Sequence, residues 1–465
     1  MSYKKIIGLG ILAVATHGTH AALAYYSLLT DIVSKISDFH QKITPTHFDQ
    51  SYPAGTAFST TDASPRYNSP VPNLIAFCRF GAEYNTSANS KFRFEVWMPS
   101  PEEWNVVAPP RLSDGVVAGA PAQRWTHLSV FLVHVNLLNA KNTTPGAIIP
   151  TPFFSALFDD VTSQCDEVDG VKDGIITNPR RCKSDLGNLA CVASSPSAFV
   201  NSSTCLSEQQ MSTLETIRSN WTSSSGEFLY PTVEPGSEFE WNGSVTGIAY
   251  QVGRPQQNQH KACGSCRFSS SNLRATVYYS TLSVNETELQ AILEIADETN
   301  PGDIEAMDPD LRPFFNRGGK LMQFHGFEDP LIPSGSSLVF YEKVQSFFNH
   351  TDLADKYNLF MVPGTAHYSD GRGANAFGTS NQRDVSLGGA GQALKFDAEH
   401  DMILATIDWV EKGRVPKSIV ATRWKDSNIT NGADYTRLLC PYPQEGIYKG
   451  GDDTKASSYV CGMPA

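Results

Sequence analysis

Two stretches decide the fold: Lys320-Leu321-Met322-Gln323-Phe324-His325-Gly326-Phe327-Glu328-Asp329-Pro330-Leu331-Ile332, and Tyr357-Asn358-Leu359-Phe360-Met361-Val362-Pro363-Gly364-Thr365-Ala366-His367. Each is a short apolar run closed by Gly or Pro-Gly. The pattern between them predicts a helix over residues 337–348. A second helix is expected over roughly 392–412. Strand, helix, strand, helix is the signature of a parallel sheet with crossover helices.

In open α/β sheets the functional residues stand just past the carboxyl ends of the strands. Asp329 and His367 stand there. An acid followed some forty residues later by a His is the later half of an α/β-hydrolase triad, whose chain order is Ser, Asp, His. The imidazole takes a hydroxyl proton; the carboxylate fixes its tautomer and stabilises the imidazolium. Taken singly, Asp329 would more often be a turn residue and His367 a surface one. Their order and context favour catalysis. The nucleophile should sit earlier, on a G-x-S-x-G elbow, and no such motif occurs. Gly243-Ser244-Val245-Thr246-Gly247 has Val at its centre, Gly335-Ser336-Ser337 reads as a helix start, and Gly264-Ser265-Cys266 has no strand before it.

Working outward, Lys91–Met98 alternates Phe92, Phe94, Val96 and Met98 on one face, the pattern of a half-buried strand. Residues 115–315 are rich in Gly, Ser, Asn and Cys and read as a large loop-rich insertion. The whole chain has 465 residues, 40% hydrophobic, with 35 Gly and 28 Pro. That excludes a disordered, collagenous or coiled-coil chain and allows a large core. Lys+Arg 36 against Asp+Glu 48 gives −12, with no basic cluster, so no nucleic-acid partner is expected. Beyond the N-terminus no apolar run reaches 18 residues, so no membrane span is expected.

The N-terminus reads as a secretory signal. Lys4 and Lys5 supply the charge, Ile6–Ala15 the apolar stretch, and Ala22-Leu23-Ala24 an A-x-A cleavage site. N-x-[ST] sequons stand at Asn85, Asn142, Asn201, Asn220, Asn242, Asn285, Asn349 and Asn428, as in a secreted eukaryotic glycoprotein. Of nine cysteines, three near pairs predict disulfides in an oxidising compartment: Cys165–Cys182, Cys191–Cys205 and Cys440–Cys461. Only Cys263 and Cys266 have zinc-like spacing, and their pairing is left open. The odd count leaves at least one thiol unpaired.

Residues 165–176, Cys-Asp-Glu-Val-Asp-Gly-Val-Lys-Asp-Gly-Ile-Ile, gather carboxylates around two glycines. Hard Ca²⁺ takes carboxylate and backbone carbonyl oxygens. Asp166, Asp169 and Asp173 offer the first kind, Val171 and Ile175 the second. The loop is not an EF-hand, because Arg180 stands where the terminal Glu would be. A solvated acidic turn is the bland alternative; the bracketing Cys165 and Cys182 favour a rigid site.

These residues carry a resemblance to the fungal tannase/feruloyl esterase family. The stretches are Phe77-Cys78 with Phe94–Met98 and Trp104-Asn105; Ser113–Ala122; Cys165–Cys182; and His325–Ile332 with Val362–His367. Leu439–Pro443 and Cys461 also fit. The resemblance spans roughly residues 74–465. It implies a secreted serine esterase acting on phenolic acid esters, including those of plant cell walls. It also implies an α/β-hydrolase fold, a large disulfide-rich lid and a structural Ca²⁺ in that lid. Asp329 resembles the triad acid and His367 the base; Asp166, Asp169, Val171, Asp173 and Ile175 resemble the calcium ligands. The implied organisation is a signal peptide at 1–24, the N-terminal part of the hydrolase domain at 25–130, the lid at 131–315 and the C-terminal part at 316–465.

Two departures stand out. The family's Gly-Cys-Ser-x-Gly-Gly elbow precedes its D-G-[IV]-[IV]-A-G-A-P stretch. Here Asn105 is followed almost at once by Ser113-Asp114-Gly115. At thirty or more residues per βαβ unit, about a hundred residues, several strands and the nucleophile are missing. The family also carries a Cys after the His, bonded to the Cys beside the nucleophile; here Tyr368 follows His367. Cys78 is expected to have lost a partner likewise. The sequence therefore predicts an incomplete hydrolase fold with impaired turnover. The rival is a non-catalytic, calcium-stabilised secreted glycoprotein.

Overall fold

The computed structural model describes residues 43–52, 77–87, 90–99, 115–140, 144–241, 245, 284–300, 304–368, 370–379 and 391–464. The expected signal peptide, the junction at 105–113, and Cys263 and Cys266 lie outside the described residues. The chain divides into two compact units, Met1–Asp114 and Gly115–Ala465.

The first unit holds an antiparallel sheet of β1 (Ile43–Tyr52), β2 (Phe77–Ser87) and β3 (Ser90–Pro99), in that order. β3 covers the strand expected at 91–98. Its Phe92, Phe94, Val96 and Met98 stand opposite Tyr84, Ala82, Phe80 and Cys78.

In the second unit, β4 (Gly115–Gly119), β7 (Lys320–Gly326) and β8 (Tyr357–Val362) form a parallel sheet of order β4-β7-β8. The two stretches expected to be strands are these last two. Every residue of β8 is buried, as befits a parallel strand covered on both faces. Alternation assigns its side chains to two cores. Tyr357, Leu359 and Met361 join Leu338, Phe340 and Val344 of the helix Gly335–Phe347. Phe360 and Val362 join Met322, Phe324, and Met402, Ala405 and Trp409 of the helix Met402–Lys412. The sheet is therefore sandwiched between these two helices.

Between β4 and β7 comes the insertion. Among the described residues its longer helices are α1 (Trp125–Ala140), α2 (Phe153–Cys165), α3 (Glu208–Ile217) and α4 (Glu286–Thr299), with a short hairpin of β5 (Trp221–Thr222) and β6 (Phe228–Tyr230). The two crossover helices above are then α5 and α6. The insertion has its own core, with Leu157, Val161, Leu189, Leu214 and Trp241 at its centre. Residue 131, where the lid was expected to begin, falls inside α1. Capping boxes start α3 (Ser207 with Gln210) and α4 (Asn285 with Glu288), each satisfying two backbone donors. Along α1, His127 Nε2 lies 2.9 Å from Asp297 and His134 Nδ1 2.8 Å from Glu286, so α4 is pinned at two points.

The chain closes with two hairpins, β9 (Ile419–Trp424) with β10 (Ala433–Leu439) and β11 (Glu445–Tyr448) with β12 (Tyr459–Gly462). The three expected disulfides are formed: Cys165–Cys182, Cys191–Cys205 and Cys440–Cys461. Among the described residues no helix is long and apolar enough to cross a membrane. One element is shorter than expected. The helix predicted from 392 begins at Met402, because the Asp401 side chain accepts the N–H groups of Ile403 and Leu404 and so caps the helix there.

β7 and β8 end in a close backbone approach. A Cβ on Gly326 would stand 2.2 Å from Thr365 O and 2.4 Å from Ala366 O. No side-chain rotation relieves that clash. Gly326→Ala should therefore destabilise the protein by about 2–4 kcal/mol, measured by urea unfolding. An unchanged midpoint would contradict the packing described.

Candidate active site

Asp329 and His367 meet. The turn after β7 and the loop after β8 are sewn together by Phe327 N–H to Val362 O and Glu328 N–H to Thr365 O, both 3.0 Å. This brings His367 Nδ1 to 2.8 Å from Asp329 Oδ2. The acid is fully buried, whereas the imidazole is 26% exposed. An Nδ1–H donated to Asp329 leaves Nε2 bare, the state a general base requires. Burial pushes the Asp329 pKa up; hydrogen bonds from His325 and His367 outweigh it and hold the carboxyl well below its ordinary range. Among the described residues, the one hydrogen bond of the His367 ring is to Asp329. Residues 242–244 and 264–266, with two of the serines weighed above, lie outside the described residues. Ser336 and Ser337 do open α5 after Gly335, as expected.

Sequence reasoning missed His325. It sits at the end of β7, four residues before Asp329, and its Nε2 lies 3.3 Å from Asp329 Oδ2. Its Nδ1 is 2.6 Å from Ser337 Oγ. Ser337, His325 and Asp329 thus line up as a hydroxyl, an imidazole and a carboxylate. All three are fully buried, so no ester can reach the hydroxyl. The i,i+4 spacing was visible in the sequence; the hydroxyl from α5 was not.

Also unforeseen is a group of buried acids beside the pair. Glu238 is fully buried and ion-paired with Arg218. Glu328 is 2% exposed, and its Oε2 has no hydrogen-bond partner among the described residues. Gly236, at φ +96°, makes room for it: a Cβ there would lie 2.8 Å from Glu328 Oε1. Burial, with Glu238 and Glu240 nearby, raises the Glu328 pKa well above the ordinary value, against the pull of Arg372. Burial likewise raises Glu240, helped by Asp370 and Asp329 and opposed by His367.

The calcium-type loop folds on its own carboxylates. Asp166 Oδ1 accepts the N–H groups of Asp173 (3.0 Å) and Gly174 (2.8 Å). Asp169 accepts from Val171 and Thr177, and Asp173 Oδ1 from Ile175. Asp173 Oδ2 pairs with Arg437 of β10. Among the described residues no three His, Cys, Asp or Glu side chains are gathered as a metal-binding group. The donor set, three carboxylates with the carbonyls of Val171 and Ile175, fits a hard cation in its chemistry.

A parallel sheet flanked by helices, with Asp329 and His367 paired past adjacent strand ends, defines an α/β-hydrolase-like protein. The comparisons then give the family. Residues 110–462 match the profile of "Tannase and feruloyl esterase", and the chain belongs to that family of ester hydrolases. It is 30% identical over 353 residues to a probable feruloyl esterase B-2 of Aspergillus fumigatus, covering 75% of this chain and 61% of the relative. A probable feruloyl esterase B of Aspergillus clavatus is 30% identical over 358 residues, 76% of this chain and 62% of that one. The chain thus spans about three-fifths of the length of these curated relatives. The fold resembles the crystal structure of feruloyl esterase B from Aspergillus oryzae (TM-score 0.71, 22% identity, 90% of this chain and 97% of that one). It also resembles a tannin acyl hydrolase from Aspergillus niger (TM-score 0.62, 16% identity, 92% and 93%).

The raised pKa of Glu328 has a signed consequence. As pH rises above roughly 4.3 the unfolded chain ionises before the buried carboxyl does, so stability falls until Glu328 itself ionises. Glu328→Gln should be near neutral at pH 5 and stabilising by about 1–3 kcal/mol at pH 8. Urea unfolding at the two pH values checks it; equal effects at both would refute the assignment.

Proposed function

We propose that this chain is a secreted carboxylic ester hydrolase of the tannase and feruloyl esterase type, acting on phenolic acid esters by a serine-hydrolase mechanism, with impaired turnover in the chain as it stands. The observation that carries the reading is the 2.8 Å contact between His367 Nδ1 and Asp329. In this reading Asp329 holds the imbalance of charge while His367 Nε2 takes the proton of an attacking serine hydroxyl. The hydroxyl oxygen bonds to the ester carbonyl carbon, the proton passes from Nε2 to the departing alcohol, and water then releases the acid from the acyl-enzyme. Impairment is proposed because Asn105 runs into Ser113-Asp114-Gly115 without the family's elbow. The secreted state is supported by the N-terminal pattern, the sequons and the three disulfides. A second reading, a non-catalytic calcium-stabilised glycoprotein, is favoured by one observation: among the described residues no hydroxyl hydrogen-bonds His367.

Two polypeptides distinguish the readings: this chain, and one with a homologous segment inserted between Asn105 and Ser113. With phenolic methyl esters as substrates, the restored chain should turn over at least a hundredfold faster, roughly the order of a missing catalytic group. His367→Ala in the restored chain should abolish the gain. Equal and substantial turnover in both polypeptides would overturn the impairment; inertness of both would favour the second reading.

We further propose that Asp166, Asp169 and Asp173, with the carbonyls of Val171 and Ile175, hold a structural Ca²⁺. Bound only by the folded state, it would stabilise by mass action. Chelator should lower the melting temperature and added Ca²⁺ should restore it. Asp166→Asn should blunt both shifts; absence of any shift counts against the site.

A further inference from the structure

Asp329 serves more than His367. Its Oδ1 accepts the main-chain N–H groups of Leu331 and Ile332, both at 2.9 Å. Its Oδ2 accepts from His367 Nδ1 at 2.8 Å and faces His325 Nε2 at 3.3 Å. The proton on His325 can be located from its partners. Nε2 also lies 2.9 Å from the carbonyl oxygen of Ile332, which can only accept. Nε2 therefore carries hydrogen. Nδ1 stands 2.6 Å from Ser337 Oγ, whose hydroxyl can donate to it. A neutral ring with hydrogen on Nε2 satisfies every contact. The Nε2–H is thus shared between Ile332 O and Asp329 Oδ2. The ring cannot turn without stranding a buried carbonyl and a buried hydroxyl.

We propose that His325 is a positioning residue for the acid–base pair: locked by Ser337 and Ile332, it gives Asp329 a second imidazole donor that fixes the carboxylate's charge and its orientation toward His367. The proposal rests on the reading of Asp329 and His367 as triad acid and base, since only a triad needs that carboxylate ionised and aimed. The groups facing Asp329 from elsewhere do not replace His325. The insertion contributes the Glu240 carboxyl, whose charge would repel that of Asp329, and the buried Tyr230 phenol, which among the described residues makes no hydrogen bond to Asp329. Neighbouring Glu328 interacts with Glu238, Glu240 and Arg372. The loop after β8 contributes His367 alone among the groups that lower the Asp329 pKa, and β7 contributes His325.

The test reads ionisation, not turnover. Chains labelled with ¹³C at Asp Cγ and ¹⁵N at His are titrated by NMR, with Asp329→Asn identifying the resonance. In the parent chain Asp329 should stay ionised down to acid unfolding, with a downfield His367 Nδ1–H. In His325→Leu, which removes the donor, Asp329 should bind its proton at least tenfold more tightly and the Nδ1–H signal should weaken. His325→Gln, whose amide can replace the Nε2 donor, should behave as the parent. If the Leu variant does not fold, His325→Asn takes its place: its amide can meet Ser337 but is too short for Asp329, and the same shift is expected. An unmoved Asp329 titration in the folded variant overturns the proposal, as do equal shifts in the Gln and donor-less variants, which would mark a packing role only. If the chain with the segment restored between Asn105 and Ser113 is inert while these shifts are seen, the functional reading falls and the geometry of His325 stands; if that restored chain is active and the Asp329 titration is unmoved, the reverse holds.

Discussion

The site depends on two strand ends held at backbone contact. β7 and β8 are adjacent and parallel, so both carboxyl ends open on the same edge of the sheet. Only a residue without Cβ lets the chain after β7 lie against the carbonyls of Thr365 and Ala366. Two main-chain hydrogen bonds then join the turn bearing Asp329 to the loop bearing His367. The separation of acid and base is thereby set by backbone, which is stiffer than any side chain. Side chains add the final alignment: two amides on one carboxylate oxygen, two imidazoles on the other. A desolvated carboxylate needs such a shell, because losing one partner exposes the full cost of a buried charge.

The insertion is tied to the sheet's carboxyl edge and to the terminal hairpins by charges that differ in worth. Asp173 with Arg437, and Glu445 with Asn178 and Arg181, join the loop between Cys165 and Cys182 to β10 and β11. Arg372, just beyond His367, pairs with Asp159 and lies 4.2 Å over the Phe158 ring, both on α2. The exposed Arg372–Asp159 pair contributes little by itself. The partly buried Asp173–Arg437 pair costs desolvation as well as gaining attraction. Their common effect is register: they fix which part of the insertion stands over the strand ends, while its apolar core supplies the stability.

What the sequence disclosed follows from the range of the interactions involved. β8 was legible to the residue, because a mostly apolar run ended by Pro-Gly is a local pattern. Asp329 and His367 were legible because their positions follow from those strand ends. The three disulfides were legible because each closes a short loop. The start of α6 was misplaced because the deciding group, the Asp401 carboxylate, competes with apolar periodicity that runs on either side of it. His325 was visible as a letter but not as a partner, since its meaning comes from Ser337 on another element. The buried glutamates were invisible for the same reason. Glu238 and Glu328 lie ninety positions apart in sequence and meet only when the insertion closes over the sheet.

The persistence of the acid–base pair is not in itself a mark of turnover. Once Asp329 is buried, removing any donor costs stability whether or not an ester is ever cleaved. A decaying gene would therefore lose an exposed nucleophile sooner than it lost Asp329, His325 or Gly326, all of which hold the sheet edge together. The same argument predicts where decay should first be read: at positions whose role is chemical but whose burial is incomplete. His367, a quarter exposed, is the one member of the group for which chemistry and stability separate. Its Nδ1 belongs to the fold through Asp329; its Nε2 belongs to whatever hydroxyl the rest of the chain can bring to it.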